Sequence, residues 1–142
     1  MKRSANAIWE GSLKEGKGTF GVASGAIKGT PYSFKTRFEE TPGANPEELI
    51  AAAHASCFAM AFSAGLGRAG TPPQKLQVSA TVTFDKKDAG WGVTKSELEV
   101  IGTVPGVDAA GFQKAAEAAK DGCPISQALK NNVALSVMAK LA

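Results

Sequence analysis

Asn45-Pro46-Glu47-Glu48-Leu49-Ile50-Ala51-Ala52-Ala53-His54-Ala55-Ser56-Cys57-Phe58 is the stretch whose reading decides how this chain folds. Asn45 suits a helix N-cap, because its side-chain oxygen accepts one of the N–H groups that a first turn leaves unpaired. Pro46 fits the first helical position, where no N–H is needed and the fixed φ is already helical. Glu48, three residues after the cap, stands at the capping-box position. A helix is predicted from Pro46 to about Leu66, with Gly65, Gly67, Gly70 and Pro72-Pro73 ending it. It is rich in alanine and apolar nearly all round, which predicts a buried central helix.

Upstream of it the chain reads as β-structure. Ala7-Ile8-Trp9, Gly18-Thr19-Phe20-Gly21-Val22 and Gly25-Ala26-Ile27-Lys28-Gly29 are short strand-like runs between turn residues. Tyr32-Ser33-Phe34-Lys35-Thr36-Arg37-Phe38 alternates aromatic with polar, the period of a half-buried strand. These runs predict a three-strand N-terminal sheet, followed by a loop over Glu39 to Ala44. Downstream, Leu76 to Phe84 and Val93 to Val104 form a predicted hairpin with a charged turn at Asp85 to Trp91. Leu76, Val78, Ala80, Val82 and Phe84 share one face of the first strand. Leu98, Val100 and Gly102 alternate with Glu97, Glu99 and Ile101 on the second. Asp108 caps a helix of about Ala109 to Lys120. A shorter helix starts near Cys123 and runs to about Lys130, and Val133 to Met138 forms a final strand. The expected class is α+β in one domain, 1–142.

Composition narrows the function. The 142 residues are 44% hydrophobic, enough to build a core without a disulfide or metal. The net charge of +3 is mild, and the basic residues at Lys14, Lys17, Lys86 and Lys87 lie beside Glu15, Asp85 and Asp88. Solvated faces are expected there, not a nucleic-acid surface. No run reaches the roughly 20 apolar residues of a membrane helix. The start, Met1 to Ala7, has no apolar stretch after its charges, so no secretory signal is read there. The expected compartment is a reducing cytosol, where a persistent structural disulfide is disfavoured. Two cysteines and one histidine make a poor structural zinc site.

Redox chemistry in this chain rests on the two cysteines. Cys57 lies inside the apolar helix, where burial alone raises a thiol pKa and makes the group inert, so a reactive Cys57 needs a cation from another element. Cys123 stands before Pro124 at a helix start, where unpaired N–H groups lower a thiol pKa. Local electrostatics alone therefore rank Cys123 as the better nucleophile. Arg37, among aromatics on the alternating segment, reads as a surface arginine or as one whose head enters a pocket over a buried stem. Glu47, in the first turn, pairs favourably with the helix dipole. His54 is the sole histidine, three before Cys57 on the helix, and reads either as a Cys–His partner or, more often for such a residue, as a satisfied core or interface histidine.

Taken together, these stretches resemble the OsmC/Ohr family, and within it the osmotically inducible protein C branch. The resemblance is carried by Trp9-Glu10-Gly11, Gly16 to Thr19, Tyr32 to Glu39, Asn45 to Phe58, Asp88-Ala89-Gly90, Val104 to Asp108 and Gly122-Cys123-Pro124-Ile125-Ser126-Gln127, in order over nearly the whole chain. It implies a thiol-dependent peroxidase acting on organic hydroperoxides and more weakly on hydrogen peroxide. It assigns the peroxidatic role to Cys57 and the resolving role to Cys123, with a Cys57–Cys123 disulfide between them. Arg37 would hold the Cys57 thiolate and Glu47 would orient Arg37. Here the resemblance overrides the local ranking of the two thiols. It implies no cofactor, a dithiol reductant of lipoyl type, and an intertwined homodimer with two sites at the subunit interface.

Geometry adds a constraint. Glu47 and Cys57 stand ten residues apart on one predicted helix, about 15 Å of rise and on different faces. Either the helix breaks, or Glu47 and Arg37 reach Cys57 from a second subunit, and the second is favoured. Two rivals stay open at this level: a dimeric binding protein with an apolar interface pocket and dispensable cysteines, and a redox sensor that oxidises without cycling.

Overall fold

The computed structural model describes residues 1–142. The chain falls into two compact units, Met1–Leu49 and Ile50–Ala142. In the first, β1 (Ala5–Glu10), β2 (Lys17–Val22) and β3 (Thr30–Tyr32) form an antiparallel sheet in that order. Trp9 and Phe20 each meet the ring of Tyr32, at 5.4 and 5.7 Å between centroids. Gly18 lies under this cluster, where a Cβ would strike the rings of Tyr32 and Trp9.

Two segments differ from the strand reading. Gly25 to Gly29 is a bend, with Gly25 and Gly29 at positive φ, a backbone that glycine adopts without a Cβ clash. Tyr32–Phe38 is not a strand: β3 ends at Tyr32, and a short helix α1 (Phe34–Phe38) follows. Ser33 is the reason. Its hydroxyl accepts the Thr36 N–H and its own N–H donates to the Thr36 hydroxyl, a reciprocal cap that starts a helix. Phe34 and Phe38 then stack at 4.7 Å between centroids, four residues apart on one helical face. Over so few residues, an aromatic pair spaced by four satisfies both the strand and the helix period.

The long helix α2 (Pro46–Arg68) begins as expected, with the Asn45 side chain accepting the Glu48 N–H. It runs unbroken, which removes the helix-break alternative. In the second unit, β4 (Lys75–Lys87) and β5 (Gly90–Thr103) form the expected hairpin, and β6 (Ala134–Leu141) adds to β5 in parallel. The connection from β5 to β6 carries α3 (Ala109–Gly122) and α4 (Pro124–Leu129). A parallel pair needs such a crossover, because a tight turn can join only antiparallel strands.

Residues 50–68 of α2 bury one stripe of the helix. His54, Phe58, Phe62 and Leu66 recur every four residues and are buried. Phe58, Phe62 and Leu66 pack with Leu98 and Val100 of β5, Val137 of β6, and Phe112 and Ala116 of α3. The Phe62 ring lies 5.0 Å from Phe112 and 5.4 Å from Phe58. Each such ring or aliphatic group contributes about 1.5–3 kcal/mol by leaving water. Gly102 of β5 lets Phe112 approach, since a Cβ there would strike its ring.

The opposite face of the helix, with Ala53, Ser56, Met60, Ala64 and Gly67, is exposed, so α2 is central but buried on one side of a single chain. Its most apolar 18 residues have a mean hydropathy of 1.6. That corrects the expectation from the residue run: by length and composition α2 is apolar enough to cross a membrane. A core helix that packs its phenylalanines on a sheet reaches such a value as well.

Candidate active site

The first unit brings Arg37 and Glu47 together. The Ser33 cap sets α1, and the Asn45 side chain ties the start of α2 back to it by donating to the Thr36 carbonyl at 3.3 Å. Glu47, in the first turn of α2, is buried. Its Oε1 accepts Nη2 of Arg37 at 3.0 Å and Nε at 3.2 Å, and its Oε2 accepts Nε at 3.4 Å. A two-pronged contact of this kind fixes the plane of a guanidinium as well as its position. Arg37 remains 36% exposed along its side chain. Its guanidinium carbon lies 5.4 Å from the Phe38 ring centroid. Trp9, Leu13, Tyr32, Phe34 and Phe38 line a cavity of about 210 Å³ with Arg37 on its wall. Of the two sequence readings of Arg37, a surface arginine or one facing a pocket among aromatics, the second describes its place on α1.

The second unit brings the two cysteines together. Cys57 sits on α2, one position before the buried Phe58, and is partly exposed. Cys123 ends α3 and precedes α4, and it is fully buried. Both are free thiols, within hydrogen-bonding reach of each other. Burial pushes the Cys57 thiol above its ordinary value, and the neighbouring Cys123 adds to that rise. The backbone N–H of Ile125 opposes it by donating to the Cys57 sulfur.

The surroundings of Cys123 differ from the helix-start picture drawn from the sequence. Cys123 makes no side-chain cap to α4. The helix-start N–H expected to serve Cys123 serves Cys57. Cys123 has no access from solvent, whereas Cys57 has some.

His54 follows the more frequent of its two sequence readings, a core histidine with both ring nitrogens paired. It is fully buried, one turn before Cys57 and on the packed side of α2. Its Nδ1 lies 2.7 Å from the Ser96 hydroxyl of β5, and its Nε2 lies 2.9 Å from the Ser126 hydroxyl of α4. Burial lowers its pKa below the ordinary value, so the ring is neutral at pH 7. It is a satisfied core histidine and not a direct partner of the Cys57 sulfur. The missed residues are Ser96, Ser126 and the Ile125 N–H. Ser96 had a signal: it occupies the apolar-face register of β5 with Leu98 and Val100, where a hydroxyl is unexpected without a buried partner.

Comparison with known proteins identifies the family. The family profile for OsmC-like proteins matches residues 38–138. Peroxiredoxin OsmC of Escherichia coli (strain K12) is 48% identical over 140 residues, covering 99% of this chain and 98% of that protein. The organic hydroperoxide resistance protein of Xanthomonas axonopodis pv. citri (strain 306) is 32% identical over 92 residues, 64% of this chain and 63% of that one. Among solved structures, the organic hydroperoxide resistance protein OhrB of Bacillus subtilis matches with a TM-score of 0.75 at 22% identity, covering 96% of this chain and 98% of that chain. That last likeness concerns the fold alone. Through the matched profile and a relative similar along almost its whole length, the chain belongs to the OsmC-like protein family.

Proposed function

We propose that the protein is a cysteine-based peroxidase that reduces organic hydroperoxides, and more weakly hydrogen peroxide, in defence against oxidative and osmotic stress. The pairing of a partly exposed Cys57 with a fully buried Cys123 in contact with it carries this reading. The exposed thiol meets the peroxide, and the buried one waits behind it. The names of the relatives, a peroxiredoxin and an organic hydroperoxide resistance protein, support the same chemistry.

The Cys57 thiolate attacks the terminal oxygen of ROOH. The O–O bond breaks, an S–O bond forms, and the alkoxide leaves as alcohol after taking a proton. Cys123 then condenses with the sulfenic acid to give a disulfide and water. A dithiol of lipoyl type restores both thiols by exchange and leaves as its own disulfide.

The first step needs a thiolate, and the groups acting on Cys57 within its own unit raise its pKa on balance. Arg37 supplies the missing cation, held in place by Glu47. It comes from a second copy of the chain, because α2 is unbroken between Glu47 and Cys57. The exposed apolar face of α2 gives that copy a surface to cover in an intertwined homodimer. The cavity beside Arg37, walled by Trp9, Tyr32, Phe34 and Phe38, suits the organic part of an alkyl or aryl hydroperoxide. Both units of residues 1–142 act as one domain in this scheme, in the reducing cytosol.

The test is consumption of cumene hydroperoxide, tert-butyl hydroperoxide and hydrogen peroxide with a dithiol, for wild type and Cys57→Ser. Turnover that favours the organic peroxides and vanishes in the variant is the expected result. Turnover that survives without Cys57, or none with any dithiol, overturns the reading.

A further inference from the structure

A histidine on the packed row of an apolar helix is costly to bury unless both ring nitrogens are paired. In the neutral ring one nitrogen donates and the other accepts, so two hydroxyls satisfy it completely. Ser96 and Ser126 do so at 2.7 and 2.9 Å, and no buried side-chain polar atom in the protein is left without a partner. A leucine in the same row would have been simpler, as at Leu66. What the histidine adds is a tether. Ser96 lies on β5, paired with Val82 and Leu135 on its neighbours. Ser126 lies in the first turn of α4, next to Ile125 and three residues after Cys123. Cys57, three residues after His54 on α2, meets Cys123 and the Ile125 N–H. The start of α4 is thus fastened to α2 at two adjacent points, one polar and one made of sulfur.

Resting on the peroxidase reading above, we infer that His54 is a positioning residue for the resolving step, which holds Cys123 against Cys57 by gripping α4 through Ser126. In that step the Cys123 thiolate attacks the sulfur of the Cys57 sulfenic acid. An S–S bond forms and the S–O bond breaks. The hydroxide that leaves takes up the proton lost by the Cys123 thiol and becomes water. A second hydroperoxide competes for the same sulfur, giving Cys57 sulfinic acid and one more alcohol, a product that thiols do not reverse. A disulfide tolerates only a narrow range of Cα separations, so slack in α4 slows the intramolecular route and leaves the bimolecular one unchanged. His54 therefore sets the partition between resolution and overoxidation.

The experiment treats reduced protein with excess tert-butyl hydroperoxide and reads Cys57–Cys123 disulfide against Cys57 sulfinic acid by mass spectrometry without reductant. His54→Leu and Ser126→Ala are expected to raise the sulfinic share about tenfold over wild type. His54→Gln, whose amide can both donate and accept, recovers most of the wild-type partition. Ser96→Ala moves it less than Ser126→Ala, because Ser96 holds the ring and not α4. A merely structural role predicts equal effects from the two serines, and that equality overturns the inference. So does a wild-type partition in both His54→Leu and Ser126→Ala. If His54→Leu fails to fold, the two serine variants, which each lose a single hydroxyl, decide alone. Wild type that forms no disulfide under peroxide sinks the peroxidase reading itself. A wild-type disulfide with unchanged variants sinks only the role of His54.

Discussion

The sulfur cluster of the second unit and the Arg37–Glu47 pair of the first handle charge in opposite ways. Around Cys57 the acting groups are burial, a second thiol and one backbone N–H; no cation is among them, and the thiol is held up. Around Arg37 the charge is permanent, balanced by a carboxylate in two-pronged contact and set on the wall of an aromatic cavity. On the proposed function the cluster brings the nucleophile and the pair brings the charge that favours its thiolate. A thiol kept protonated is protected from stray oxidants, since the thiolate is the reactive form. A guanidinium clamped by a carboxylate costs little further ordering when it meets an anion. Reactivity on this view belongs to the assembled site and not to either half.

Removing a piece of each half breaks the comparison most sharply. Cys57→Ser deletes the only solvent-reached nucleophile of the cluster, and peroxide turnover is expected to fall by about 10³-fold or more. Arg37→Ala leaves both sulfurs in place but withdraws the charge. The Cys57 pKa, read from thiolate absorbance in the ultraviolet, is expected to rise, and kcat/KM for organic hydroperoxide to drop on the order of 10²-fold. Circular dichroism should match wild type, because Arg37 is a partly exposed residue outside the core cluster. A titration unchanged by Arg37→Ala would mean that the sulfur half is self-sufficient after all.

The two halves also differed in how far the sequence disclosed them. The scaffold of the sulfur half follows from patterns long enough to be unambiguous. The alternation of Leu98, Val100 and Gly102 with Glu97, Glu99 and Ile101 gives the buried and exposed faces of β5 as found. Asn45-Pro46 gives the start of α2 as found. The Arg37 segment was misread because Tyr32 to Phe38 is short, and the spacing of Phe34 and Phe38 fits either period. The deciding information lay in Ser33 and Thr36, a pair of hydroxyls in the cap role that a glutamate more often completes. Cys57, Cys123, Arg37 and Glu47 were all named as candidates from the sequence, their roles through the family likeness. The partners of His54 were not, since Ser96 and Ser126 lie far from it in sequence and join it only once the crossover closes.

His54 gives the sulfur half a second, acid-sensitive signature that the cation half lacks. Its pKa in the folded chain lies below the unfolded value of 6.5, because burial disfavours the charged ring. As pH falls through about 6.5 the unfolded chain binds a proton that the folded chain refuses, so stability declines with falling pH. The decline continues until the folded ring itself titrates. As the sole histidine, His54 is the one side chain whose ordinary pKa lies in that window. Urea midpoints measured between pH 7 and 5.5 are expected to fall in wild type and to flatten in His54→Leu. Equal slopes in the two would place the ring in contact with water.

The smallest effect tests whether α1 matters to the cation half as a helix or merely as a chain segment. Ser33→Ala removes the hydroxyl that accepts the Thr36 N–H, a loss of about 1 kcal/mol for a cap of this kind. A five-residue helix has little else of its own, since helices this short are not stable by propensity. Fraying there loosens Arg37 against Glu47 while leaving Cys57, Cys123 and His54 in their own unit. The expected result is a several-fold loss of kcat/KM for peroxide, the same direction as Arg37→Ala but weaker, with the disulfide-to-sulfinic partition unchanged. A partition that moved with Ser33→Ala would show that the half holding Arg37 also controls resolution, and the proposed division of labour between the two units would have to be given up.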